Sequence, residues 1–309
     1  MSYEAEMLKK WDMPPRKEVE RELLREFVKH GGVVAEFASG QEIVKDIADY
    51  FALTEEQRNV PLERIYKKEN RVVKTPLWHR LLFRAADSLA KEKLLIRPSQ
   101  TIKLTKKKEW MLTEKGFDRA LKLSDISAIR KENLPTKSYE VQKIVKKLNE
   151  SRRPEKYIPF DKKKKAAKVT REAVLRTRAF RLAVTEAYSY RCAVCGLKIS
   201  SPDSLSWEVE AAHIVPHSHM GRDDIWNGIA LCHLHHWAFD VGWFTLRDDY
   251  TVEVSSNINS LPADFGKIRD YELFRILANE KRRIFLPNRN EIYPHINSII
   301  WHRQNVFVR

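Results

Sequence analysis

The chain has 309 residues and a mass of 36.4 kDa, enough for about two domains of 100–200 residues each. Hydrophobic residues make up 43% and charged residues 32%. This is a globular composition, and no apolar run approaches the roughly 18–20 residues that span a bilayer, so a membrane protein is excluded. Lys and Arg number 57 against 42 Asp and Glu, a net charge of +15 with a pI near 9.6, which points to a polyanionic partner and first to nucleic acid. The opening MSYEAEMLKKWDMPPRKEVE carries charges where a secretory leader needs an unbroken apolar stretch, so a cytoplasmic protein is expected. Three cysteines, an odd number, speak against a secreted disulfide framework and for free thiols or metal ligands.

Residues 17–30 place Val19, Leu23 and Phe27 four apart and end at Gly31-Gly32, which predicts an amphipathic helix inside an N-terminal helical extension, 1–38. Ser39 reads as the N-cap of a helix with Ile43, Ile47 and Phe51 on one face, and Thr54-x-x-Gln57 has the form of a capping box opening a second. Thr75-Pro76 starts a third with Leu77, Leu81, Leu82, Ala85 and Leu89 inward. Residues 101–104 and 109–112 read as two strands of a hairpin around the basic turn Thr105-Lys106-Lys107-Lys108. Three helices closed by a basic hairpin have the order of a winged helix, with the third helix in the major groove and the wing on the backbone or minor groove. Lys74, His79, Arg80 and Arg84 at the third helix, and Lys106, Lys107 and Lys108 on the wing, are the expected DNA contacts.

The Thr-x-Glu-x-Arg turn at Thr54 to Arg58 and the Leu-Thr-Glu-Lys-Gly closing at Leu112 to Gly116 resemble the N-terminal winged-helix domain of the Mrr-type restriction proteins. The resemblance implies a DNA-recognition domain over 39–124. A winged helix used only for protein interaction is the other reading of the same pattern. Between 137 and 178 stand fifteen Lys or Arg and five Asp or Glu, including Lys162, Lys163, Lys164 and Lys165, with Pro154 and Pro159. This is read as a basic linker, 125–177, either a solvated tether or one whose lysines displace phosphate counterions.

All three cysteines and six of the ten histidines lie between Cys192 and His236. Cys192-x-x-Cys195 and Cys232-x-x-His235 are two pairs at the spacing with which a turn offers both side chains to one tetrahedral zinc. Such a closed shell holds a fold and leaves no position for substrate; the thiols as core residues are the bland alternative. Within this frame Trp207 to Ile214 alternates as a strand, Asn227 lies in a returning segment, and Cys232 onward reads as a helix. His236 and Asp240, four apart on that helix, can share one divalent ion, and His213 can face it across the hairpin. His217 and His219 read as loop residues that could touch phosphate, and His233 as a surface residue. Trp226, Trp237, Phe239, Trp243 and Phe244 read as core.

The segments Ala-Ala-His-Ile-Val-Pro from Ala211, Asn-Gly-Ile-Ala-Leu-Cys from Asn227 and His-His-Trp-Ala-Phe-Asp from His235 resemble the HNH endonucleases, the ββα-metal nucleases, in their restriction-type branch. The preceding helix from Arg178 to Cys192 and the tail with Leu286-Pro287, Trp301-His302-Arg303 and Val306-Phe307 extend the likeness over 178–309. The resemblance implies an α+β chain made of a winged helix, a basic linker and a C-terminal ββα-metal nuclease domain with structural zinc. It implies that His213 is the general base, that Asn227 orients its imidazole or the loop around it, and that His236 binds a catalytic Mg2+ or Mn2+. Many relatives carry an Asp or His ligand immediately before the base, where this chain has Ala212. Asp240 is taken as the second ligand, and Glu210, on the same strand face as Ala212, as one acting through water. The implied partner is double-stranded DNA, with a homodimer serving double-strand cleavage. By likeness to Mrr-type architecture the DNA would be methylated, with Trp78 and Trp110 either caging the modified base or lying in the core. The alternative is a DNA-binding regulator on a degenerate, zinc-stabilised HNH scaffold.

Overall fold

Residues 2–37, 40–66, 71–161, 171–257 and 281–309 are described by a computed structural model of the chain; the lysine run 162–165 lies outside the described residues. No helix among the described residues is long and apolar enough to cross a membrane. The chain divides into two units, Met1–Lys143 and Ile144–Arg309.

In the first unit, Ser2 caps α1 (Tyr3–Lys10) by accepting from the Ala5 N–H. α2 (Arg16–Lys29) follows Pro15 and turns Val19, Leu23 and Phe27 fully inward, within one residue of the predicted ends. Gly31 and Gly32, at φ 68° and 81°, turn the chain into β1 (Val33–Ala35). Next come α3 (Glu42–Tyr50) and α4 (Glu55–Asn59), the latter opened by the expected capping box: the Gln57 N–H reaches Thr54 Oγ1 at 3.2 Å and the Thr54 N–H reaches Gln57 Oε1 at 2.8 Å. β2 (Pro61–Tyr66) and β3 (Arg71–Pro76) form an antiparallel hairpin that the sequence pattern did not predict. α5 (Leu77–Lys91) buries every position expected of the third helix. β4 (Leu95–Ile96), α6 (Pro98–Thr105), β5 (Glu109–Leu112), α7 (Glu114–Leu123) and α8 (Tyr139–Glu150) complete the order, and the division between units falls inside α8.

Three expectations concern this unit. Residues 101–104 are helical, not a wing strand. Pro98 starts α6 where its missing N–H is no loss, the Thr101 hydroxyl donates back to Pro98 O at 3.2 Å, and Lys106 ends the helix in the left-handed region. β5 pairs instead with β1 and β4 in a three-stranded antiparallel sheet ordered β1-β5-β4, which leaves Lys106, Lys107 and Lys108 exposed in the α6–β5 turn and not at a hairpin tip. The division between the two units falls at neither of the boundaries expected at 38/39 and 124/125. α2 packs on α5 and α7, and β1 is an edge strand of the sheet, so the N-terminal residues belong to the unit's core and the unit ends at Lys143. Finally, Trp78 and Trp110 are each 1% exposed. Trp78 donates Nε1–H to Val44 O at 3.1 Å, and Trp110 packs between Phe37 and Phe83, so neither is placed to cage a base.

In the second unit, α9 (Arg171–Ala187) lays Phe180, Ala183 and Val184 on the hairpin of β6 (Val209–His213) and β7 (Gly228–Cys232). The hairpin runs in register from Val209 opposite Cys232 to His213 opposite Gly228. Position 228 requires glycine: a Cβ there would lie 2.4 Å from Val184 Cγ2 and 2.9 Å from the Phe180 ring. α10 (His233–Asp240) follows β7 directly, giving the predicted strand, loop, strand, helix. Side chains alternate across β6; His213 stacks on Phe180 of α9, whereas Glu210 meets His236 of α10. β8 (Phe244–Leu246) and β9 (Val252–Val254) form a second hairpin. The closing helix Ile296–Asn305 inserts His302, which joins Thr245 Oγ1 at 3.0 Å and Phe239 O at 3.0 Å; burial lowers its pKa to about 4. Trp226, Phe239 and Phe244 are core as expected, but Trp237 is 53% exposed, because it sits on the outer side of α10.

Candidate active site and metal centre

The first cysteine pair lies in a turn after α9 that is tied to the hairpin by the Ala193 N–H on Ala230 O at 2.8 Å. Gly196, at φ 76°, closes the turn with its N–H on Cys192 O. Cys232 ends β7 and His235 falls in the first turn of α10, so two local turns bring four donors together. Cys192 Sγ is 3.7 Å from His235 Nδ1, Cys195 Sγ is 4.0 Å from Cys232 Sγ, Cys232 Sγ is 3.0 Å from the same Nδ1, and all four donor atoms lie within 4.8 Å of one another. A tetrahedral zinc with Zn–S bonds of about 2.3 Å separates its sulfurs by about 3.8 Å, so this donor set fits such an ion. Hydrogen bonds among the three thiols lower Cys192 and raise Cys232, so the set takes up and releases protons as a unit.

A second group lies where β6 faces α10. His236 Nδ1 is 2.8 Å from Glu210 Oε1, and its Nε2 is 3.5 Å from Asp240 Oδ2. Burial alone would lower the His236 pKa, but the hydrogen bond to Glu210 and the charges of Asp240 and Glu210 outweigh it and raise it. The same bond lowers Glu210, while burial raises Asp240. Glu210 therefore sits on the opposite imidazole nitrogen from Asp240, the arrangement in which a carboxylate holds the far N–H of a metal-binding histidine. The buried Ala212 offers no donor. His233 is an exposed residue paired with Glu208 at 3.3 Å.

His213 belongs to a third group. Its Nε2 is 3.0 Å from Asp223 Oδ1, and its ring lies 3.9 Å from that of Phe180, inclined by 17°. His217 Nε2 reaches the same Asp223 oxygen at 3.2 Å. The structure thus joins His213 to Asp223 and His217, and His236 to Glu210 and Asp240. Asn227 is fully buried and works on the loop, not on the imidazole: Oδ1 accepts the Val215 N–H at 2.9 Å, and Nδ2 donates to Val215 O and to Arg222 O, each at 3.0 Å. Asp223 was missed from sequence. Its only signal is the Asp223-Asp224 pair just before Ile-Trp-Asn-Gly, and no periodicity links position 223 to position 213.

The expected DNA contacts of the first unit are partly engaged within it. Arg80 and Arg84 each place Nε 3.3 Å from a carboxylate oxygen of Glu4 in α1, and Lys74 pairs with Glu63 at 2.7 Å. His79 is half-buried, which lowers its pKa.

Residues 192–247, from the first cysteine pair through β8, match the HNH endonuclease family. No curated protein matches the chain. Among solved structures, a "Modification dependent TagI restriction endonuclease" is similar at 23% identity over 41% of this chain and 37% of that one, with a TM-score of 0.29. The chain thus spans about a third of that protein's length.

Proposed function

We propose that the protein is an HNH endodeoxyribonuclease of restriction type that hydrolyses phosphodiesters of double-stranded DNA. The observation that carries this reading is the HNH match over 192–247, which contains His213, Asn227 and His236 on a strand, loop, strand, helix unit. His213 takes a proton from water as the water oxygen attacks phosphorus in line and the bond to the 3′ oxygen breaks, leaving a 5′ phosphate. His236, through Nε2, and Asp240 would hold a divalent ion, Mg2+ or Mn2+, with Glu210 steadying the far side of the imidazole. When bound there, such an ion supplies charge neutralisation at the scissile phosphate. Cys192, Cys195, Cys232 and His235 would hold a structural zinc.

The first unit is proposed as a winged helix that reads the DNA. Support comes from helices α2, α3 and α5, with α4 and the β2–β3 hairpin between the last two, and from β4 and β5, which flank α6 and form a three-stranded sheet with β1. Lys74, His79, Arg80, Arg84 and Lys106 to Lys108 are its proposed contacts, with Lys162 to Lys165 adding sequence-independent phosphate contacts. Methylated DNA is the proposed target, on the Mrr-type resemblance, and a homodimer the proposed form for cutting both strands. The buried, donorless Ala212 favours one other reading, a regulator that binds DNA without cutting it. One experiment separates them: incubate methylated and unmethylated plasmid with wild type and His213→Ala in Mg2+ or Mn2+. Cleavage by wild type alone, greater on methylated plasmid, supports the proposal. Binding without cleavage of either plasmid overturns the nuclease reading, and equal cleavage of both overturns modification dependence.

A further inference from the structure

We infer that Asp223 positions His213, and that Asn227 acts on the base through Asp223. The inference rests on the nuclease reading for its chemical meaning, but the geometry behind it does not. Three constraints meet at the His213 ring. Phe180 fixes its plane from α9, β6 fixes its Cα, and the Asp223 carboxylate accepts at Nε2 from the loop between β6 and β7. Asp223 is in turn held on both sides of its own backbone by Asn227. The Asn227 amide donates to the carbonyl of Arg222, and the Asn227 N–H donates to the carbonyl of Asp224 at 2.9 Å. The loop also doubles back tightly: a Cβ on Gly221 would lie 1.7 Å from Val215 O, and Val215 is the residue whose N–H and C=O both bond the Asn227 side chain.

An ionised carboxylate only accepts. Asp223 beside Nε2 therefore keeps the ring proton on Nε2 and leaves the lone pair on Nδ1, the nitrogen that becomes the base. In the proposed step a water O–H bond breaks, its proton goes to Nδ1, its oxygen bonds phosphorus, and the 3′ oxygen departs with the electron pair of the broken P–O bond. Asp223 gains no proton; it faces an imidazolium that its charge stabilises. His217 Nε2 lies 3.2 Å from the same oxygen, so Asp223 can accept from two rings. In this arrangement the buried asparagine needs no contact with the imidazole to set the tautomer.

The test uses full-length, zinc-loaded protein labelled with 15N, in which long-range proton–nitrogen correlation reads each histidine tautomer. The His213 signals are those missing in His213→Ala. Wild type should carry His213 as the Nε2–H tautomer at pH 7.5, and Asp223→Asn should lose that preference while keeping its zinc content and far-UV spectrum. A wild-type ring protonated on Nδ1 overturns the inference with no variant needed. So does loss of the Nε2–H signal on adding Mg2+, which would make the three groups a metal site. On cleavable plasmid, Asp223→Asn should lower kcat by about 10²- to 10⁴-fold with KM nearly unchanged, and an unchanged kcat overturns the inference. Should wild type carry the Nε2–H tautomer yet never cut DNA, the nuclease reading fails and the positioning pair stands.

Discussion

Replacing Asn227 by Asp probes the loop clamp by exchanging one heavy atom, the amide nitrogen for an oxygen, with almost no change of volume. The wild-type amide uses one acceptor and two donors on Val215 N–H, Val215 O and Arg222 O in a fully buried position. The carboxylate keeps the acceptor bond but turns an oxygen toward two carbonyls about 3 Å away. Each lost buried donor costs about 1–2 kcal/mol once its partner is left unsatisfied, so the loss at pH 8 should be about 2–4 kcal/mol. The pH dependence identifies the cause. Burial against carbonyls raises the folded pKa of the new Asp above its unfolded value of about 3.9. The penalty is therefore full above the folded pKa and shrinks as pH falls toward the unfolded one, by up to about 1.4 kcal/mol per pH unit. Urea unfolding of wild type and variant, compared pairwise at pH 8, 6 and 5, measures this; Asn227→Leu, which does not titrate, should show a constant penalty. A variant within about 0.5 kcal/mol of wild type at pH 8, or one whose deficit is equal at pH 5 and 8, refutes the reasoning.

Purified protein should contain about one zinc per chain, and Cys192→Ser or chelation should unfold the second unit, since such sites contribute on the order of 10 kcal/mol; folded, metal-free wild type by metal analysis and circular dichroism would contradict this. His302, with a folded pKa of about 4, favours its neutral form, so the stability it contributes is complete above its unfolded pKa of about 6.5 and is lost as pH falls toward 4, by about 3 kcal/mol in all. His302→Gln should flatten that acid limb in thermal melts. Glu4→Gln should change stability by less than about 1 kcal/mol yet release Arg80 and Arg84, so that binding to any duplex tightens and the salt dependence steepens by about one slope unit for each further phosphate neutralised; an unchanged salt slope argues against these arginines as DNA contacts. Trp78→Phe should cost about 1 kcal/mol, the lost bond to Val44 O, and leave any preference for methylated DNA as it was, measured by competition binding.

What could be read from the sequence was whatever depends on near neighbours. The capping box at Thr54 closes within four residues, each half of the Cys192/Cys195 and Cys232/His235 set is a single turn, and β6, β7 and α10 show their periods in an unbroken run. The pairing of His236 with Asp240 follows from one helical turn. Tertiary packing decided the rest. Thr101-Ile102-Lys103-Leu104 alternates as well as any strand, but β5 found its partners in β4 and in β1, some 75 residues earlier, leaving 101–104 free to continue from Pro98 as a helix. α2, whose pattern marks it only as amphipathic, became core because α5 and α7 cover its apolar face. Glu210 acquired a role on His236 only because α10 folds onto β6, and Asp223 reached His213 only because a buried asparagine closes the loop on both sides of it. Spacing along a chain specifies which side chains share a face of one element. Which faces meet, and which loop residue is carried between them, depends on burying those faces together, and no local pattern encodes that.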